Sequence, residues 1–159
     1  MTGRAHSAGL LLYRQTGAGL EVLLVHMGGP FWVNRDAGAW SVPKGEVAPD
    51  EDLLAAARRE FAEELGSPAP DGELTELGQI RQRNGKVVTA WALDADFDAD
   101  TVSSNTFEME WPPRSGVRRS FPEVDRAAWF DVATARAKLV TGQSGLLDRL
   151  QEVVSIEGR

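Results

Sequence analysis

Glu60, Glu63 and Glu64 are spaced i, i+3 and i+4, which brings them together only if the chain around them is helical. At about 100° per residue, Glu63 and Glu64 lie about −60° and +40° from Glu60, so three carboxylates share one face. Carboxylates crowded in this way repel one another unless positive charge sits among them. Hard divalent cations such as Mg²⁺ or Mn²⁺, which take oxygen ligands, suit the cluster. Leu54, Ala57, Phe61 and Leu65 fall at about +60° to +140° on the same wheel, a stripe that can dock the helix onto a sheet. The pattern predicts a helix from Glu51 to Leu65, with Pro49 and Asp50 as its start signal and Gly66, followed by Pro68 and Pro70, as its stop. A solvated acidic face would be the ordinary reading of a Glu-Glu pair near Arg59, but it does not explain glycines at both ends of one element.

The fixed spacing of Gly45, Glu51, Arg59, Glu60, Phe61, Glu63, Glu64, Gly66 and Ser67 resembles the Nudix box. Every charged and glycine position of that signature is matched. Phe61 and Ser67 stand where the signature has aliphatic residues, a departure that concerns packing at the end of the helix more than the acidic face. The resemblance implies an α+β fold, an α/β/α sandwich with a mixed β-sheet and the box as loop, helix and loop. It implies that Glu60, Glu63 and Glu64 contact Mg²⁺, with Mn²⁺ as the alternative, that the Gly45 carbonyl adds a ligand, and that Arg59 and Glu51 orient the helix face. It also implies a further glutamate from outside the box as metal ligand or base. Glu123, six residues before Trp129, best fits that place, with Glu108 and Glu110 as rivals. The expected catalytic set is then Glu60, Arg59 and Glu123, with the base left open between Glu60 and Glu123.

The activity implied is hydrolysis of a phosphoanhydride bond in a nucleoside diphosphate linked to another moiety. WSVPKGE carries a WxxPKG pattern similar to that of diadenosine polyphosphate hydrolases and some oxidised-nucleotide hydrolases, so dinucleoside polyphosphates are favoured. Oxidised nucleoside triphosphates are the alternative substrates, and a non-catalytic nucleotide-binding regulatory module is the alternative of another class. Such modules usually have eroded boxes, whereas all three box glutamates are retained here. ADP-ribose is disfavoured because the proline usual about fifteen residues past the box in that subgroup is missing. The tyrosine often found nearby in dinucleoside polyphosphate hydrolases is absent too, Tyr13 being the only tyrosine.

Other residues suit the substrate. Lys44 is a flexible cation placed for a phosphate, and Arg81 and Arg83 can reach others. Trp32 and Trp40 can stack on a base, while Trp91 and Trp129 read as core.

These groups need a scaffold. The segments Ser7–Tyr13 and Leu20–Met27, apolar and β-prone around a Gly-containing turn, predict a hairpin. The Gly- and Pro-containing run from Gly28 to Ala39 predicts an irregular loop over the site. Leu74–Arg83 and Lys86–Ala95 flank Asn84-Gly85, a second hairpin. The polar stretch from Thr101 to Ser120 predicts one short strand near Phe107–Trp111 and otherwise extended loop. Ala127–Phe130 predicts a last strand, Asp131 caps a helix to about Leu139, and Ser144 caps another to about Val154.

The chain's 159 residues suit a single domain, placed at residues 1–155, and the terminal IEGR at 156–159, which looks like a protease-tag cleavage sequence, is given no weight. A content of 42% hydrophobic and 26% charged residues is that of a soluble globular protein, with no run long enough to span a membrane. The lack of cysteine excludes disulfides and thiolate metal sites. With no signal-peptide pattern, the expected location is the cytoplasm. A net charge of −7 argues against sequence-independent binding to nucleic acid and leaves a small anionic nucleotide diphosphate derivative as the expected partner. Oligomeric state is not readable.

Overall fold

A computed structural model describes the chain from His6 to Glu157. Its centre is a mixed seven-stranded sheet built on two long strands, β1 (His6–Thr16) and β2 (Gly19–Met27), paired as the expected hairpin. β1 runs parallel to β6 (Val87–Asp94), which pairs antiparallel with β5 (Glu73–Arg81). β2 pairs antiparallel with the short β3 (Trp40–Ser41) and with β9 (Val124–Asp131), and β4 (Lys44–Glu46) lies antiparallel to the start of β1.

Alternation along β1 sends its side chains to two cores. Leu10 and Leu12 face α1 (Leu53–Leu65) with Ala56, Ala57, Phe61 and Leu65, whereas Leu11 and Tyr13 face α2 (Val132–Lys138) and α3 (Ser144–Glu157) with Ala135, Leu146, Leu147 and Leu150. The expected α+β sandwich is therefore the observed one. Phe61 is fully buried at its box position, its ring edge-on to Phe97 at 5.3 Å, so the bulkier residue packs where an aliphatic one would. Trp91 and Trp129 are half-buried at the edge of the same core.

Three elements differ from expectation. The helix starts at Leu53, because Asp50 adopts φ 66° and Asp52 is the cap, its carboxylate accepting from the Ala55 N–H at 3.0 Å. Its end is as expected, with Gly66 left-handed at φ 81°. β9 is twice the predicted length because it pairs along most of β2. The expected loop after Trp111 contains a further strand, β8 (Arg118–Pro122), which joins β7 (Thr106–Glu110) in a separate two-stranded ribbon. α3 continues through Ile156 and Glu157, while Gly158 and Arg159 of the terminal IEGR lie outside the described residues. No helix among the described residues is long and apolar enough to cross a membrane.

Candidate functional site

The box loop and helix are held together by Arg59. Its guanidinium makes a two-pronged contact with Glu51, Nε to Oε2 at 2.8 Å and Nη2 to Oε1 at 2.9 Å, and Nη2 also donates to the Glu46 carbonyl at 3.0 Å. Glu51 in turn accepts from the Ala48 N–H at 2.9 Å. These bonds hold the Glu51 carboxyl down to about 2, chiefly through Arg59, and raise the guanidinium further above its ordinary value. The remaining prong, Nη1, donates to Glu60 at 2.8 Å and to both oxygens of Glu63 at 3.3 Å. Arg59 thus fixes the box loop against the helix while offsetting two of its acidic charges.

Gly45 explains itself through Glu60. A Cβ at position 45 would lie 2.0 Å from the Glu60 carboxyl carbon and from one of its oxygens. The carboxylate therefore lies against a stretch of main chain that only glycine leaves bare. Burial raises the proton affinity of Glu60, and Glu63 and Glu123 add to the effect against the opposing pull of Arg59. Glu64 is pushed up to about 8, first by burial and then by Glu60 and Glu123, although Lys44 opposes. The Lys44 main-chain N–H donates to Glu64 at 3.2 Å, and burial lowers the affinity of the Lys44 amine for its proton.

Glu123 comes from the segment between β8 and β9, yet it raises the proton affinity of both Glu60 and Glu64, and its own is raised by burial and by Glu63. The fold thus brings it to the box face. Its placement is carried by main chain: Asn105 N–H donates to the Glu63 carbonyl, Glu123 N–H to the Asn105 carbonyl, and Gly28 N–H to the Glu123 carbonyl, each at 2.9 Å. Its rivals are engaged elsewhere, Glu108 with Arg118 at 3.4 Å and Glu110 with the Gly116 N–H at 2.7 Å.

The donors available to a cation are all oxygen, crowded enough to retain protons that a cation would displace. That chemistry fits Mg²⁺ or Mn²⁺, which Glu60, Glu63, Glu64 and Glu123 with the Gly45 carbonyl would hold. With Arg59 and Lys44 engaging the carboxylates, no three acidic or histidine side chains among the described residues close on a common point as a finished metal cage.

Beside this face lies a cavity of about 350 Å³ lined by Lys44, Trp32, Arg83, Asn84, Lys86 and Ser41, among others. Three expected substrate residues, Lys44, Trp32 and Arg83, meet there, and Lys86 is a cation that sequence reasoning passed over. Arg81 instead reaches back to the Gly85 carbonyl at 3.2 Å. Trp40 is only 2% exposed, edge-on to His26 at 5.1 Å and to Phe130 at 4.8 Å, and its indole N–H donates to Asp36. The expectation that it stacks on a base gives way to a place in the core, because β3 points it between the sheet and α2.

Two buried polar residues carry the loops around this cavity, and neither had a sequence signal. Gln143 accepts from the Val42 N–H at 3.0 Å and donates to Ser41 at 3.1 Å and to Gln82 at 2.9 Å, tying the strand before the box to the β5–β6 hairpin. His26 donates from Nε2 to the Arg35 carbonyl at 2.7 Å while Nδ1 faces Asp125 at 2.8 Å, anchoring the Gly28–Ala39 loop to β9.

The model of the NUDIX domain family matches residues 3–150. Among solved structures, the NUDIX domain of Shewanella oneidensis NrtR complexed with ADP ribose is 16% identical with a TM-score of 0.66, covering 97% of this chain and 90% of its own. A Caenorhabditis elegans Ap4A hydrolase binary complex is 23% identical with a TM-score of 0.64, covering 95% and 98%. A NUDIX hydrolase structure from Listeria monocytogenes is 15% identical with a TM-score of 0.67, covering 97% of each chain. A search of curated proteins gives no match. With the family model spanning nearly the whole sequence and the fold shared end to end, this chain belongs to the NUDIX domain family.

Proposed function

We propose that this protein is a cytoplasmic Mg²⁺-dependent hydrolase that cuts a phosphoanhydride bond in a nucleoside diphosphate linked to another moiety, with dinucleoside polyphosphates as preferred substrates. The observation that carries the reading is the meeting of four carboxylates from two elements, Glu60, Glu63 and Glu64 from α1 and Glu123 from the approach to β9, beside a cavity lined by Lys44, Arg83 and Lys86. An acidic cluster next to a cationic pocket is the division of labour that phosphoanhydride cleavage requires.

A bound divalent cation supplies charge neutralisation on the phosphoryl oxygens and a more acidic water. Lys44, Arg83 and Lys86 bind and orient the phosphate chain, and Trp32 closes the cavity over the nucleoside. Arg59 holds the box rigid through Glu51 and fixes the carboxylates of Glu60 and Glu63. The Glu123 carboxylate has no hydrogen-bond or ion-pair partner among the described residues and an elevated proton affinity, whereas Glu60 is engaged with Arg59. Glu123 is therefore the residue assigned to take the proton from the attacking water. The resemblance to Ap4A hydrolase in fold and in WxxPKG supports the substrate preference.

The test is a Mg²⁺-dependent screen of dinucleoside polyphosphates, nucleoside triphosphates and their oxidised forms, and ADP-ribose, with products identified by mass. Glu63→Gln should lower turnover by roughly 10²–10³-fold with the fold intact. An unchanged rate would refute the assignment, and tight nucleotide binding without turnover in the wild type would favour a regulatory module.

A further inference from the structure

The β7–β8 ribbon stands apart from both cores yet is planted in the site. Asn105 at its entry donates to the Glu63 carbonyl, and Glu123 at its exit donates to Asn105. Register divides it into two faces. Glu108, Glu110, Arg118 and Ser120 share one, where Glu108 and Arg118 pair. The other carries Phe107 opposite Phe121 and Met109 opposite Arg119, leading on to Trp111. This second face meets the Gly28–Ala39 loop: Phe31 lies edge-on to Trp111 with centroids 5.4 Å apart, and a Cβ on Gly29, which sits at φ 95°, would touch the Phe107 ring at 3.0 Å.

Two features of that face are unspent. Phe31 is 58% exposed despite its aromatic partner. Arg119, set among Phe107, Met109 and Phe121, has no ion-pair or hydrogen-bond partner among the described residues, although the chain carries a net charge of −7. An unpaired arginine on the aromatic face of a ribbon that leads to Glu123 matches one kind of ligand, a planar ring bearing phosphate.

We propose that the aromatic face of the ribbon is a second nucleotide subsite, in which Arg119 takes a phosphate and Phe31 with Trp111 takes the base of the half of the substrate not held in the Lys44 cavity. The proposal rests on the function proposed above and deepens it. The cavity reaches the carboxylates through Lys44 and Glu64, and the ribbon reaches them through Glu63 and Glu123, so the cluster is approached from two elements that each carry cation and aromatic. A two-ended substrate uses both; a nucleoside triphosphate uses one.

Isothermal titration of the full chain in EDTA, where metal-dependent turnover is stopped, with diadenosine tetraphosphate and with ATP separates the possibilities. The wild type should bind diadenosine tetraphosphate more tightly than ATP. Arg119→Ala and Phe31→Ala should each weaken the dinucleotide by about tenfold and leave ATP within about twofold. Arg118→Ala, one face away, should match the wild type. Equal loss for both ligands, no loss for either, or no nucleotide binding by the wild type overturns the subsite. So does sedimentation showing a dimer that Phe31→Ala dissociates, since the exposed ring would then be an interface. Turnover with Mg²⁺ is scored separately: binding as predicted with no hydrolysis of any substrate sinks the enzymatic reading alone, and hydrolysis with affinities unmoved by Arg119→Ala sinks the subsite alone.

Discussion

The acidic face of α1 and the β7–β8 ribbon meet at one site, but they are built in different ways. On α1 the acidic face is held mainly by side chains: Arg59 grips Glu51, Glu60 and Glu63, while Glu60 also lies against Gly45 and Glu64 accepts from the Lys44 main-chain N–H. The ribbon is fixed by main chain, through the bonds that link Glu63, Asn105, Glu123 and Gly28. Side-chain placement at fixed helical spacing ties chemistry to residue identity, whereas main-chain placement ties it to topology and leaves the side chains free to vary with the ligand. Substitutions on α1 should therefore act on turnover, and substitutions on the ribbon on binding.

Among the residues that support the carboxylates, the largest effect should come from the smallest side chain. Gly45→Ala places a methyl group 2.0 Å from the Glu60 carboxyl, and since that carboxyl ends a flexible side chain, the helix can stay while the carboxylate swings away. Turnover should fall by about 100-fold, the upper range for disturbed support of a metal ligand, with an unchanged circular dichroism spectrum. Activity within twofold of wild type would mean that Glu60 is not needed where it lies. Glu51→Gln should cost less. It removes the charge from the Arg59 pair but keeps an acceptor, so a drop of about tenfold in kcat at constant KM is expected. A change in KM alone would move Glu51 from support to substrate.

The difference between the two regions also explains what could be read from the chain. The α1 face was legible because Gly45, Glu51, Arg59, Glu60, Glu63 and Glu64 interact over spacings that one helix and its preceding loop fix. Both long hairpins were legible, the first because β1 and β2 are apolar runs around a Gly-containing turn and the second because β5 and β6 flank Asn84-Gly85. Arg118–Pro122 gave no strand signal, since RRSFP is mostly polar and ends in proline, and it is a strand only because β7 lies beside it. Trp40 was read as a base-stacking residue because tryptophan suits a base and a core equally, and only the packing of Phe130 and His26 decides for the core. Gln143, His26 and Asn105 act through partners 9 to 102 positions away, a relation that no local pattern encodes. Glu123 was singled out from its place relative to Trp129, which the family resemblance supplied.

The proton affinity of the box gives a third, intermediate test. Burial pushes Glu64 up to about 8 in the folded metal-free protein, against its ordinary 4.5 in the unfolded chain. Between those values the folded state holds a proton that the unfolded state has released, so the contribution of this group to stability falls as pH rises through the window. A cation that displaces the proton gains in affinity over the same range. The Tm difference between Mg²⁺-loaded and EDTA-treated protein should then widen from pH 5 to pH 8.5, measured by calorimetry at fixed excess Mg²⁺. A constant difference would place the metal away from Glu64.

The smallest effect should come from the ribbon's outer face, where it serves as the control for everything assigned to α1. Glu108 and Arg118 form an acid–guanidinium pair like that of Glu51 and Arg59, but at 3.4 Å, through a single contact, with both side chains 65% exposed. In high dielectric such a pair gains little over its separate hydration and costs side-chain entropy, so Glu108→Ala should change stability by about 0–1 kcal/mol, a Tm shift under roughly 4 °C. Turnover and nucleotide affinity should both stay at the wild-type level, because neither residue faces the carboxylates or Arg119. If Glu108→Ala instead lowers kcat as far as Glu51→Gln does, a charge pair matters on either element regardless of what it supports. The division between a side-chain-built catalytic face and a main-chain-built binding arm would then fail, since it requires that identical chemistry have unequal consequences according to what stands behind it.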